Sequence, residues 1–276
     1  MPKCIFCPRT NLTHEHILSD FLHTILSGAD FREESFDGMM EVDGTLKFVV
    51  IPPANHQGGV HTKAAYCVCE DCNTGWMSRI VDAASYWAKP IVRGRPIELN
   101  EIQQRQLASW IALSAISADW LGKGRFKISQ DDRDYMFAHG VPPPHWSIFI
   151  GTWEGPLLSA ASQNPLYMIH PEKGTAIFTM HTVASIQGCL FTLTHVASAG
   201  PPFAVPESIY DPYLVRLWPI ERRWVIEDKT IHWPLVKNIP VTGQFYKGTV
   251  AYDLSRRLRD QLNARLQSLD RGNKRS

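Results

Sequence analysis

The chain has 276 residues, 44% of them hydrophobic, and a formal net charge of +1. That composition supports a packed core and excludes wholesale disorder, and no apolar run reaches the roughly 18 residues that a membrane-spanning helix needs. Near-neutrality selects no class of partner, but the charge is unevenly spread. Residues 1–100 carry nine basic and twelve acidic side chains, whereas residues 255–276 carry seven basic and two acidic. No secretory segment precedes the first cysteine, so a cytoplasmic setting is expected, where paired cysteines mean metal rather than disulfide.

In chain order, residues 4–16 read as a short knuckle leading to His16, and Ile17 to Leu22 follow with a helical rhythm. Residues 28–44, polar and acidic with three glycines, read as a surface excursion. Leu46 to Ile51 is expected to be a strand stopped by Pro52-Pro53, with Thr62 to Val68 as its partner. A helix is expected from Asn73, with Trp76, Ile80, Ala83, Ala84 and Trp87 at helical spacing, until Pro90 ends it. Pro90, Gly94 and Pro96 mark a boundary, giving a module over 1–95 and a second over 96–276. The second opens with a helix from Glu101 to Trp120, apolar on most sides and therefore buried. Ser129 with Asp132 resembles a capping box and predicts a helix to His139, stopped by Pro142-Pro143-Pro144. The chain then turns β-rich over Trp146–Trp153, Ala176–Ala184, Ile186–His195 and Tyr213–Pro219. Leu254, Leu258, Leu262, Leu266 and Leu269 line a terminal amphipathic helix whose other face is rich in arginine. Trp110, Trp120, Trp146, Trp153, Trp218 and Trp233 are expected in the core. The fold class is α+β.

Chemistry concentrates in the first module. Cys4-Ile5-Phe6-Cys7 and Cys69-Glu70-Asp71-Cys72 each place two sulfurs on one side of a turn. Two such turns complete the tetrahedral thiolate shell that Zn²⁺ takes. Cys67 rivals Cys69 for one position, although Cys69 makes the two-residue spacer with Cys72. Cys189 sits in an apolar stretch and reads as core. Between the pairs lies His14-Glu15-His16, and Asn73 follows the second pair directly. In an extended segment, neighbours such as Glu15 and His16 face opposite sides. A carboxylate and an amide oxygen suit Mg²⁺ or Mn²⁺, and a neutral imidazole can take a proton from water.

The order Cys-x-x-Cys, Glu15-His16-Ile17, Cys-x-x-Cys-Asn73 resembles the HNH endonucleases of the ββα-metal fold. The continuation Cys72-Asn73-Thr74-Gly75-Trp76, with Lys89-Pro90-Ile91, Ala108 to Leu113, Leu217-Trp218-Pro219 and His232-Trp233-Pro234, is similar to a group of bacterial HNH-type proteins over most of the chain. The resemblance implies that His16 is the general base and that Glu15 and Asn73 hold the catalytic Mg²⁺ or Mn²⁺, distinct from a structural Zn²⁺ on Cys4, Cys7, Cys69 and Cys72. It implies a nuclease acting on nucleic acid, expected to be DNA, with no membrane partner. His14 also flanks Glu15 and is the alternative base. Ser19 stands where the family often has proline, and Asn55 is the only asparagine in reach of the family's middle position. A non-catalytic zinc-knuckle module that binds nucleic acid or protein is the alternative function.

Overall fold

A computed structural model describes residues 2–16, 19–26, 64–120, 128–153, 188–196, 213–220 and 230–235 in full. It describes the backbone alone of residues 30–31, 39–42, 45–48, 121, 158–169, 176–187 and 197–199. The expected terminal amphipathic helix, Asn55 and the segment Ile17-Leu18 lie outside the described residues.

The described chain is α+β, and its sheets are antiparallel apart from one short pairing. After the first cysteine turn, β1 (Leu12–His16) pairs antiparallel with β5 (Ala64–Cys69), opposing Leu12 to Cys69 and Glu15 to Ala65. Between them lie α1 (Asp20–His23), β2 (Asp30–Phe31), β3 (Met39–Val42) and β4 (Thr45–Phe48). Here the structure corrects the sequence reading. The strand near Leu46 pairs with β3 within the expected surface excursion, and the strand before the second cysteine pair takes β1 instead. A hairpin closes a short loop at little entropic cost, and the β1–β5 pairing sets Cys69 beside the first cysteine turn.

Helix follows β5 directly. α2 (Glu70–Cys72) runs into a π-helical turn (Asn73–Met77) and then α3 (Ser78–Val92). The helix thus begins three residues earlier than expected, and Pro90 lies inside it. The proline falls in the last turn, where its missing N–H deprives only the carbonyl of Tyr86, an exposed residue. After β6 (Ile97–Leu99), α4 (Glu101–Leu121) packs on α3, β5 and the later strands. α5 (Gln130–His139) opens with the expected cap, the Asp132 amide donating to Ser129 Oγ at 3.1 Å, and ends at Gly140 with φ +66°. The Asp132 carboxylate does not complete a capping box; it pairs with His145 Nε2 at 2.9 Å.

The main sheet contains β7 (Ser147–Thr152), β8 (Leu158–Ile169), β9 (Ala176–Gln187), β10 (Leu190–Ala199) and β11 (Val215–Trp218) in the order β11-β7-β10-β9-β8-β2. Only β2 runs parallel to its neighbour. β12 (Ile231–Trp233) pairs with β6. β8, β6 and β12 had no counterpart in the sequence reading. One core cluster runs from Cys4 and Leu22 through Trp110 and Trp146 to Trp233. Trp110 and Trp146 are fully buried as expected, each worth about 2–3 kcal/mol of apolar transfer. Trp120, near the end of α4, is 41% exposed instead, because it falls on the solvent side of the last turn. Trp218 and Trp233 precede cis prolines and donate to the Pro143 and Ile91 carbonyls.

Candidate metal centre

Four thiols meet where β1, β5 and α2 converge. Cys4 and Cys7 lie on the first turn. Its backbone closes on itself through Cys4 N to Arg9 O, and it is tied to β5 through Ile5 N to Cys67 O at 2.9 Å. Cys69 ends β5 in extended geometry and Cys72 lies one helical turn on, so both sulfurs project to one side. Arg9 pairs with Asp71, linking the two turns from outside. One sulfur from each of Cys4, Cys7, Cys69 and Cys72 lies within 4.8 Å of the others. The Cys7–Cys69 and Cys7–Cys72 sulfur separations are 3.5 and 3.8 Å. A tetrahedron with zinc–sulfur bonds of about 2.3 Å has edges of about 3.8 Å, so the sulfurs already stand at ligand spacing.

The surroundings suit a metal as well. The Phe6 amide points at Cys4 Sγ at 3.4 Å, an N–H···S contact that stabilises a thiolate. Burial pushes the Cys7 and Cys72 thiols up, with the Trp76 indole partly opposing it at Cys72. At Cys69 burial also acts upward, but hydrogen bonds from the Cys72 amide and the neighbouring sulfurs outweigh it and lower the thiol. The upward push on the Cys7 and Cys72 thiols is one that a bound cation would reverse. Cys67 stands outside the group, and burial, with Glu15 and Cys4 nearby, pushes its thiol up to about 12. Cys189 is a half-buried thiol in the turn before β10 rather than within the strand.

The triplet His14-Glu15-His16 ends β1. Asn73, the first residue after the second cysteine pair, reaches back across this strand. Its amide nitrogen donates to Thr13 Oγ1 at 3.1 Å and to the His14 carbonyl at 3.2 Å. That leaves the amide oxygen as the group able to face a cation. The Glu15 carboxyl has no hydrogen-bond or ion-pair partner among the described residues, and burial first, then the Asp20 carboxylate, pushes it up to about 7. A cation beside it would reverse that shift. His14 is exposed, with its ring 5.2 Å from that of Tyr66. His16 is half-buried. Its Nδ1 is enclosed without a partner among the described residues, and its Nε2 faces Asp20 Oδ1 at 4.0 Å.

Two neighbours of His16, Asp20 and His23, went unnoticed in the sequence. With His16 they form a second group whose ligand atoms lie within 4.8 Å of one another. The spacing His16-x3-Asp20-x2-His23 copies the i, i+4, i+7 pattern of one helical face, but His16 ends a strand and only the other two lie on a helix. Also unanticipated is a groove of about 370 Å³ beside α3, lined by Trp76, Arg79, Arg105, Ser109 and Phe137 among others. Trp76 and Phe137 meet edge to face there, and neither arginine has an ionic partner among the described residues.

Comparison of the chain with family models, with curated proteins and with solved structures finds no match. Among the described residues no helix is long and apolar enough to cross a membrane.

Proposed function

We propose that this protein is a metal-dependent phosphodiester hydrolase of the HNH type, with DNA as its substrate. The observation that carries the reading is the Asn73 side chain bonded to the His14 carbonyl and Thr13 Oγ1. Through it, the residue that opens the helix is joined to the strand bearing Glu15 and His16, beside a four-cysteine cluster. The order strand, antiparallel strand, helix is that expected of a ββα-metal module.

In this reading Zn²⁺ on Cys4, Cys7, Cys69 and Cys72 braces strand and helix. The Glu15 carboxylate and the Asn73 amide oxygen would hold Mg²⁺ or Mn²⁺, which supplies Lewis-acid stabilisation of charge on the phosphate when bound. His16 takes the proton of the attacking water at Nε2, the nitrogen turned toward the exposed Asp20 carboxylate. Because Nδ1 is enclosed, the ring offers Nε2 to the reaction. The groove one turn along from Asn73 supports a nucleic-acid substrate. Arg79 and Arg105 suit phosphate, and Trp76 and Phe137 offer ring surface to a base.

The test is plasmid cleavage with Mg²⁺ or Mn²⁺, wild type beside His16→Ala, with zinc measured on both. Cleavage by the wild type alone, at one zinc each, supports the assignment; equal cleavage by both removes His16 from the reaction. A second reading, a non-catalytic zinc-knuckle binding module, is favoured by one observation: residues 1–100 carry nine basic against twelve acidic side chains, with no excess of positive charge around the cluster's segment to hold a phosphate backbone for cleavage. It predicts binding of nucleic acid or protein that needs no divalent ion beyond zinc and no cleavage by either protein.

A further inference from the structure

Four residues after His16 comes Asp20, and three later His23 returns to the same place. Asp20 Oδ1 lies 4.0 Å from His16 Nε2 and 3.8 Å from His23 Nδ1. The two imidazoles meet edge to face with centroids 5.6 Å apart. Ligand atoms around a tetrahedral ion with bonds of about 2.0–2.1 Å stand about 3.3 Å apart. The three groups therefore need to close by about 0.5–1.5 Å to share one ion, within reach of an aspartate side chain that is 81% exposed and two rings that can turn.

The scaffold holds two of the ligands in place. α1 is fixed at its start by Trp110 Nε1, which donates to Ser19 Oγ at 2.9 Å, and the Phe21 ring lies 5.5 Å from that of Trp110. Leu22 and Leu26 are fully buried under the same segment. His23 thus comes from a docked turn, and His16 from a strand end with one nitrogen enclosed. Preorganisation of this kind separates a binding site from a chance meeting of surface side chains.

We propose that His16, Asp20 and His23 form a second divalent-metal site, of two imidazoles and one carboxylate, separate from the four-cysteine site. The donor set selects borderline transition ions such as Zn²⁺, Co²⁺ or Ni²⁺ over Mg²⁺, which prefers oxygen and keeps its water. The exposed carboxylate leaves the remaining coordination positions to solvent. A regulatory consequence rests on the hydrolase reading above. An ion here occupies the Nε2 lone pair of His16, so the same ring cannot accept a proton, and excess transition metal silences cleavage.

The experiment titrates Co²⁺ into full-length protein whose four-cysteine site already holds Zn²⁺. The wild type is expected to take up one Co²⁺ with visible d–d absorption and without a thiolate charge-transfer band. His23→Gln and Asp20→Ala are each expected to weaken that binding by about 10–100-fold or more, with zinc content and circular dichroism unchanged. Asp20 is exposed enough that its loss leaves folding intact, so a misfolded His23→Gln would not spoil the test. No second Co²⁺ in the wild type, or equal uptake by both variants, overturns the site. Plasmid cleavage in Mg²⁺, with and without added Zn²⁺, separates the two readings. Co²⁺ uptake without cleavage by any form keeps this site and rejects the hydrolase. Cleavage by the wild type that added Zn²⁺ leaves untouched keeps the hydrolase and rejects the inhibitory ion.

Discussion

The four-cysteine cluster and the His16–Asp20–His23 cluster bracket one strand, β1, and are built in opposite ways. In the first, the backbone sets the sulfurs: each pair is spaced by two residues on a turn, and sulfur separations of 3.5 and 3.8 Å already match a tetrahedral edge. In the second, the ligands come from a strand end and a short helix whose relative position depends on Trp110, ninety-one residues away. Three of the four cysteines are buried, whereas Asp20 stands in solvent. On the readings proposed above, a buried thiol cluster would hold its ion as part of the fold, while an exposed imidazole–carboxylate cluster would fill and empty without disturbing it. The comparison then separates a proposed brace from a proposed sensor.

The largest effect expected is loss of the brace. If the cluster holds zinc as proposed, Cys69→Ser with Cys72→Ser, or chelation, is expected to unfold the β1–β5–α2 region, because metal binding free energy would then be folding free energy, about 10 kcal/mol in small zinc modules. Circular dichroism and zinc content measured together check it; a double variant that melts like the wild type would reduce the cluster to an ornament. Next comes the proposed hydrolase reaction. On that reading His16→Ala is expected to lower plasmid cleavage by about 10²–10⁴-fold with zinc retained.

A smaller effect concerns Glu15. Its carboxyl titrates at about 7 in the folded protein against 4.5 ordinarily, for burial first and Asp20 second. Between those values the folded state keeps the proton and the unfolded chain does not, so this group's contribution to stability falls as pH rises from 4.5 to about 7. In protein holding zinc but no other divalent ion, Glu15→Gln is therefore expected to be more stable than wild type at pH 8, by about 1–3 kcal/mol, and equal to it near pH 4. Urea denaturation at both values reads the difference; a gain of the same size at both would reject burial of the charge as its cause. The same shift predicts that Mg²⁺ binding releases a proton near neutrality, seen by calorimetry in buffers of different ionisation enthalpy. Smallest is Ser19→Ala, which removes the acceptor of the Trp110 Nε1 bond and leaves the core ring in place. It is expected to cost about 1 kcal/mol and to weaken Co²⁺ at the exposed cluster without touching zinc.

What the sequence disclosed follows the same division. The cysteine turns, the cap at Ser129, the span of α4 and the strands near Ser147 and Leu190 are local patterns, and local patterns were legible. Strand partners were not. β5 pairs with β1 across some fifty residues, with Leu12 opposite Cys69, and alternation within either strand does not encode that choice of partner. Pro90 misled as a helix stop because its cost depends on how near the helix end it falls. β8 was missed because the stretch from Leu158 to Ile169 mixes serine, glutamine, asparagine and proline with its apolar residues. Asp20 and His23 were not legible as partners of His16 because His16 ends a strand and the other two lie on the next helix, so no single periodicity joins the three.

Gly188 carries a consequence for recombination. It turns with φ +60° between β9 and β10, and a Cβ there would stand 2.5 Å from the Val92 carbonyl oxygen. The next amide, Cys189 N, donates to that same oxygen at 2.9 Å, so the main sheet caps the last turn of α3 through one side-chain-free position. A chimaera that keeps residues 1–95 and borrows its sheet from elsewhere inherits a working helix end only if the donor turn also offers glycine at that point. Exchange of halves between such chains is thereby restricted to a narrow set of crossovers.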